Sequence, residues 1–241
     1  MIFDVTMTPA SEGSDSPSPS LTDAQAPRRA RQEYEQGIKA LGANRISDAK
    51  AHFAKAVKDY PCYARAQTAE ALSLISDRDL KGAEVALRKA IECDAGFSSA
   101  CLKLGELYNA ELRFRESAQV LEGGLRLDPG SWKFHYQLAG AYDGLATYAR
   151  AEAEYLMSES LTPPAPPDVH VKLADVYSKE RQFGRAYGEM KAYLAADPNG
   201  RFAGKVREVM KQMRAAAVAA RAAGASSAAA SATQIQGASK Q

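Results

Sequence analysis

Residues 98–131 read SSACLKLGELYNAELRFRESAQVLEGGLRLDPGS, and this stretch decides the fold. It contains two short segments whose apolar residues recur at i, i+3, i+4 and i+7, the spacing that lines one helical face. Neither segment has an internal proline, and their Ala and Leu content favours helix. Gly105 and Ser117 are small residues on facing sides, which lets the two helix backbones approach. Leu121 is bulky and fills the gap toward whatever stacks next. Pro129 closes the unit, because proline cannot extend the hydrogen-bond ladder and pushes its predecessor out of the α region.

The same pattern recurs outward in both directions. Small residues stand at Ala49, Ala83, Ser117 and Ala151 at intervals of 34, then at Ala186 after 35. Four residues beyond each come Phe53, Leu87, Leu121, Tyr155 and Met190. Twelve residues before each stand Gly37, Ala71, Gly105, Ala139 and Ala174, followed three later by Ala40, Leu74, Tyr108, Tyr142 and Tyr177. Pro61, Ala95, Pro129, Pro163 and Pro198 close the units. A single hairpin cannot bury both of its apolar faces, whereas stacked neighbours can. The expected fold is therefore all-α, a right-handed α-solenoid of antiparallel helix pairs.

These columns resemble the tetratricopeptide repeat, most closely at Leu104-Gly105 with Tyr108 and at Leu138-Ala139 with Tyr142. The likeness covers Ala30 to Pro198 as five units, approximately 30–63, 64–97, 98–131, 132–166 and 167–200. Gln36 and Glu70 replace the usual leucine in the first two units, and Tyr193 is large where a small residue is usual. Residues 1–27, rich in Ser, Pro and acid, read as a disordered tail. A capping helix is expected over 199–223, its apolar face holding Phe202, Val206, Val209, Met210, Met213 and Val218, with a disordered Ala/Ser/Gln tail over 224–241.

The formal net charge of +2 hides a segregation. Residues 1–26 carry Asp4, Glu12, Asp15 and Asp23 without a Lys or Arg, while 199–241 carry seven basic residues against Glu208. The repeats between are neutral, which argues against a phosphate-matching stripe and hence against nucleic acid. Three cysteines, Cys62, Cys93 and Cys101, are too few and too odd in number for a disulfide framework, so a reducing compartment is expected, and Cys93 and Cys101 read as small buried hydrophobes. With no apolar run long enough to span a bilayer and no secretory pattern at the start, the expected location is cytoplasmic.

No constellation for catalysis stands out: there is no phosphate-cradling glycine loop, no Cys-x-x-Cys and no His-Glu-x-x-His. Gly123-Gly124 falls inside a helical segment, where close packing explains it. His135 and His170 occupy equivalent positions and read as partly buried core residues, since no third metal ligand accompanies them; His52 is expected on a solvated face. The sequence thus calls for no enzyme activity, cofactor, metal or small-molecule substrate, and membrane contact is not expected of the basic cap.

The resemblance implies that the outward positions of each first helix line a concave groove. They include Arg31, Tyr34 and Ile38 in the first unit and Arg65 and Leu72 in the second. Leu102 follows in the third, and Lys133 and Tyr136 in the fourth. Ile38, Leu72, Leu102 and Tyr136 form an apolar row that asks for a cover. The functional reading is a protein partner with an apolar or amphipathic segment, Tyr34 and Tyr136 anchoring it and the cations Arg31, Arg65 and Lys133 steering its acidic flanks. The alternative is a homo-oligomeric structural scaffold or assembly factor joined through the apolar half of the groove or the cap helix, and the groove can also be closed by the chain's own tail. A carboxylate clamp of the kind some members use is not matched, because among Tyr34, Ile38, Ala69, Ser99 and Lys103 only one residue is basic.

Overall fold

The computed structural model describes residues 20–215. Every first helix ends in the same way. α2 (Arg28–Gly42), α4 (Ala64–Ser76), α6 (Ser98–Ala110), α8 (Trp132–Gly144) and α10 (Pro167–Lys179) each run into a three-residue turn. The turns lead to α3 (Ile46–Asp59), α5 (Leu80–Cys93), α7 (Phe114–Leu127), α9 (Tyr148–Leu161) and α11 (Phe183–Ala196). In every turn the third N–H reaches back to the carbonyl five residues earlier: Arg45 to Ala40, Asp79 to Leu74, Arg113 to Tyr108, Thr147 to Tyr142 and Gln182 to Tyr177, at 2.7–2.9 Å. This Schellman closure requires a left-handed middle residue. Asn44, Arg78, Leu112, Ala146 and Arg181 fill that place at φ of 56 to 63°.

A left-handed leucine costs roughly 1–2 kcal/mol, and Leu112 is 71% exposed, so it recovers nothing by packing. Leu112→Gly is expected to raise stability by about 0.5–1 kcal/mol after glycine's own entropy is subtracted. Thermal unfolding followed by circular dichroism checks this, and a lower midpoint for the variant would overturn it.

The described residues fall into two units, bounded as Met1–Ala165 and Pro166–Gln241, with the break in the proline-rich stretch after α9. In the first unit α2 packs on α3, α4 on α5, α6 on α7 and α8 on α9, and α4, α6 and α8 also touch in sequence. The small columns set this spacing. A Cβ built on Gly105 would lie 2.4 Å from Leu121, and one on Gly124 would lie 2.3 Å from the Phe134 ring and 2.9 Å from the Cys101 Cβ. Around Gly105 the core gathers Ala71, Ala83, Leu87, Leu104, Leu107 and Tyr108. In the second unit α10 packs on α11, and Ala203 and Val206 of a helical segment over 203–215 join Ala174, Met190 and Tyr193. Phe202, Val209, Met210 and Met213 complete that cluster; Val218 and the tail over 224–241 lie outside the described residues.

Two expectations are corrected. The N-terminal tail, assigned as disordered over 1–27, is helical at α1 (Leu21–Gln25), which packs on α4; residues 1–19 lie outside the described residues. Ala26 is buried with Ala30, Ala56, Tyr63 and Ala66, so the segment contributes apolar area that the polar composition of residues 8–20 conceals. The cysteines are not all thiols either. Cys62 and Cys93 form a disulfide with Cα atoms 5.2 Å apart, and Cys101 alone is free and buried. Stacking brings the loop before α4 against the end of α5, within the Cα separation that a disulfide spans.

Candidate protein-interaction face

The first helices of unit 1 bring the expected partner-binding residues into three different surroundings. Arg31 and Lys133 are exposed, and Ile38 is 45% exposed. Leu72 is half-buried. Tyr34 is also half-buried, its ring 5.8 Å from Phe53 and 5.4 Å from Tyr63, so it knits α2 to its neighbours. Tyr136 packs edge-on against Trp132 and Tyr155 at 6.4 and 5.6 Å, while the Lys133 ammonium lies 5.9 Å from the Trp132 ring. Leu102 is only 8% exposed and belongs to the packed interior, which corrects its place in the apolar row. Its helix is flanked by α4, α5, α7 and α8, and a helix so enclosed buries residues on all sides.

Arg65 is already engaged. Its guanidinium Nε lies 2.8 Å from Oδ2 of Asp23 on α1. Burial raises the Asp23 carboxyl above the usual carboxylate range, Arg65 opposing that shift and Asp94 adding to it. The sequence does carry a signal for this helix. Ser20-Leu21-Thr22-Asp23 has the hydroxyl and acid spacing that often opens a helix. The Ser20 carbonyl accepts from the Asp23 N–H at 3.0 Å, but the Ser20 hydroxyl turns away to another partner.

The histidines share one structural role. His135 Nδ1 lies 2.6 Å from Glu154, and His170 Nδ1 lies 2.8 Å from Glu189, in each case pairing the first helix with the second. In the first unit the partners are exchanged, with His52 Nδ1 2.7 Å from Glu33, so His52 stands between helices rather than on a solvated face. The hydrogen bond from His52 holds the Glu33 carboxyl below its ordinary range. Among the described residues no group of three or more His, Cys, Asp or Glu side chains is placed to hold a metal ion.

The recurring tyrosines tie α6 and α8 to their surroundings. Tyr108 donates to Glu84 at 2.7 Å and Tyr142 to Glu122 at 2.6 Å, both on the preceding second helix. Burial pushes the Tyr142 phenol up to about 12, reinforced by Glu122. A shallow depression of about 430 Å³ lies beside Leu125, Leu138 and Tyr142. Of its carboxylates, Glu122 accepts from Tyr142 and Glu154 pairs with His135.

A stack of helix hairpins repeated at 34 residues defines an α-solenoid repeat protein. No protein-family model and no curated protein matches the sequence. Solved structures do. MamA from Desulfovibrio magneticus RS-1, residues 41 to the end, aligns with a TM-score of 0.65 at 14% identity over 73% of this chain and 99% of that one. PilF of Pseudomonas aeruginosa aligns at 0.65 and 22% identity over 79% and 88%. TTC0263, a thermophilic tetratricopeptide-repeat protein of Thermus thermophilus, aligns at 0.59 and 18% identity over 76% and 97%. The fold of this chain is that of the tetratricopeptide-repeat solenoid. No helix among the described residues is long and apolar enough to cross a membrane.

Proposed function

We propose that this chain is a non-catalytic protein-interaction adaptor that takes an apolar or amphipathic segment of a partner protein on the first-helix face of its first unit. The observation that carries the reading is Ile38, a large aliphatic side chain left 45% exposed on α2. Leu72 is half-buried at the same place in the next unit. Arg31 stands exposed one turn away from Tyr34 on the same helix and suits an acidic flank. The seating of Asp23 on Arg65 supports the charge preference, since an acidic helix of the chain itself already uses that cation. Leu102 is left out of the proposed contact because burial denies it to a partner.

A partner protein isolated on the wild-type chain and then purified should bind Ile38→Asp at least tenfold more weakly. Val85→Asp serves as the control, because Val85 is 68% exposed on a second helix. Equal binding by the two variants would remove the proposal.

A homo-oligomeric scaffold is the second reading, favoured by the exposed Leu156, Met157 and Leu161 on α9. Light scattering across a concentration range separates it from the adaptor, which stays monomeric. The Cys62–Cys93 disulfide supports an oxidising compartment in place of the cytoplasmic location expected from sequence.

A further inference from the structure

α1 is held by its polar side chains. Its leucine, Leu21, is 72% exposed, whereas Ser20, Thr22 and Asp94, the acceptor of Ser20, are each at most 5% exposed. The Ser20 hydroxyl donates to Asp94 Oδ2 at 2.6 Å and lies 2.7 Å from the Thr22 hydroxyl. The Ala64 N–H donates to Thr22 Oγ1 at 3.2 Å, and Asp23 pairs with Arg65. Buried hydroxyls with matched partners are selective, because a segment lacking them would leave Asp94 Oδ2 and the Ala64 N–H without those partners.

The receptor for this segment comes in two halves. Ala64 and Arg65 open α4, and Asp94 caps α5, its second oxygen accepting from the Gly96 N–H at 3.1 Å. Cys62 lies two residues before Ala64 and Cys93 one residue before Asp94. Their disulfide therefore joins the halves at the point where the ligand bridges them, and both cysteines are half-buried, within reach of a small reductant.

We propose that Ala64, Arg65 and Asp94 form a binding site for a short Ser-x-Thr-Asp peptide segment, filled in cis by residues 20–23 and assembled only while Cys62–Cys93 is oxidised. A small-molecule dithiol empties it. One of its thiolates attacks a sulfur of the pair to form a mixed disulfide, its second thiol resolves that bond, and two electrons and two protons pass to Cys62 and Cys93 as the reductant closes its own disulfide. Release of α1 also frees Arg65. The proposal stands independently of the adaptor reading, since it concerns only what the chain's own segment does.

Hydrogen exchange on the full chain tests it. Reduction with dithiothreitol should speed exchange in residues 21–26 at least tenfold, and Cys62→Ser/Cys93→Ser should do the same, while α8 and α9 keep their rates. Unchanged exchange in 21–26 with both thiols free overturns the proposal, as does an equal acceleration along the whole chain. In a second arm, Ser20→Ala/Asp23→Asn weakens the tethered segment, which otherwise competes at a high effective concentration. A fluorescein-labelled peptide of residues 18–27 should then bind the oxidised variant and bind the reduced variant at least tenfold more weakly. No binding to the oxidised variant, or equal binding in both redox states, rejects the site.

Discussion

Leu102→Asp is expected to unfold most of the first unit rather than to clear a surface. The leucine is 8% exposed on α6, where Ala100, Cys101, Leu104, Leu107 and Tyr108 are buried beside it. Losing a buried leucine side chain forfeits about 1.5–3 kcal/mol of transfer energy. Placing an unpaired carboxylate there adds a desolvation cost of several kcal/mol, unless the group takes up a proton. The sum approaches the roughly 5–15 kcal/mol that holds a domain together. Thermal unfolding should show a midpoint at least about 10 °C lower, with helical signal already reduced at room temperature. Leu102→Met, which keeps volume and polarity, should lose less than about 1.5 kcal/mol. A Leu102→Asp chain that melts like the wild type would return the residue to the open face and undo the packing described for α6.

The contrast between Leu102 and Ile38 shows what a single sequence conveys. The columns of Gly105, Ser117 and Leu121 are visible because they answer to contacts inside one hairpin, Leu121 packing over Gly105 of its own pair and not only toward the next unit as expected. Exposure along the first helices answers instead to the neighbouring first helix. By the repeat, Leu102 and Tyr136 stand at the place of Tyr34, one turn before the place shared by Ile38 and Leu72, and there Leu102 is buried while Ile38 is exposed. The two places lie four residues apart on one helical face, so periodicity alone cannot rank them. The His and Glu pairs escape for another reason. Glu33 with His52 and His135 with Glu154 are the same contact with its partners exchanged, so neither column reads as a histidine column. The disulfide escapes because Cys62 and Cys93 are 31 residues apart, out of step with the repeat, and meet only through stacked loops.

Glu84→Gln is expected to lower stability by about 2 kcal/mol at neutral pH, in line with loss of a hydrogen-bonded charge. Glu84 on α5 is the meeting point of three elements. Arg113, in the turn after α6, lies 2.7 Å from Oε2, while Arg88 Nε and the Tyr108 hydroxyl reach Oε1 at 3.0 and 2.7 Å. The hydrogen bond from Arg113, followed by those from Tyr108 and Arg88, draws the carboxyl down from 4.5 to about 2 against the opposing effect of burial. A carboxyl whose pKa is lower in the folded chain binds more protons when unfolded, so its stabilisation is complete above about pH 4.5 and disappears as pH falls toward 2. The wild type should therefore melt about 4–8 °C above Glu84→Gln at pH 7, and the two midpoints should converge near pH 2. Glu116 shares Arg113 at 2.6 Å but is 48% exposed, so Glu116→Gln should lower the midpoint far less than Glu84→Gln does, because solvent screens exposed pairs. A gap between wild type and Glu84→Gln that stays constant from pH 7 to pH 2 would mean that the side chain's shape, and not its charge, fastens α5 to the turn after α6.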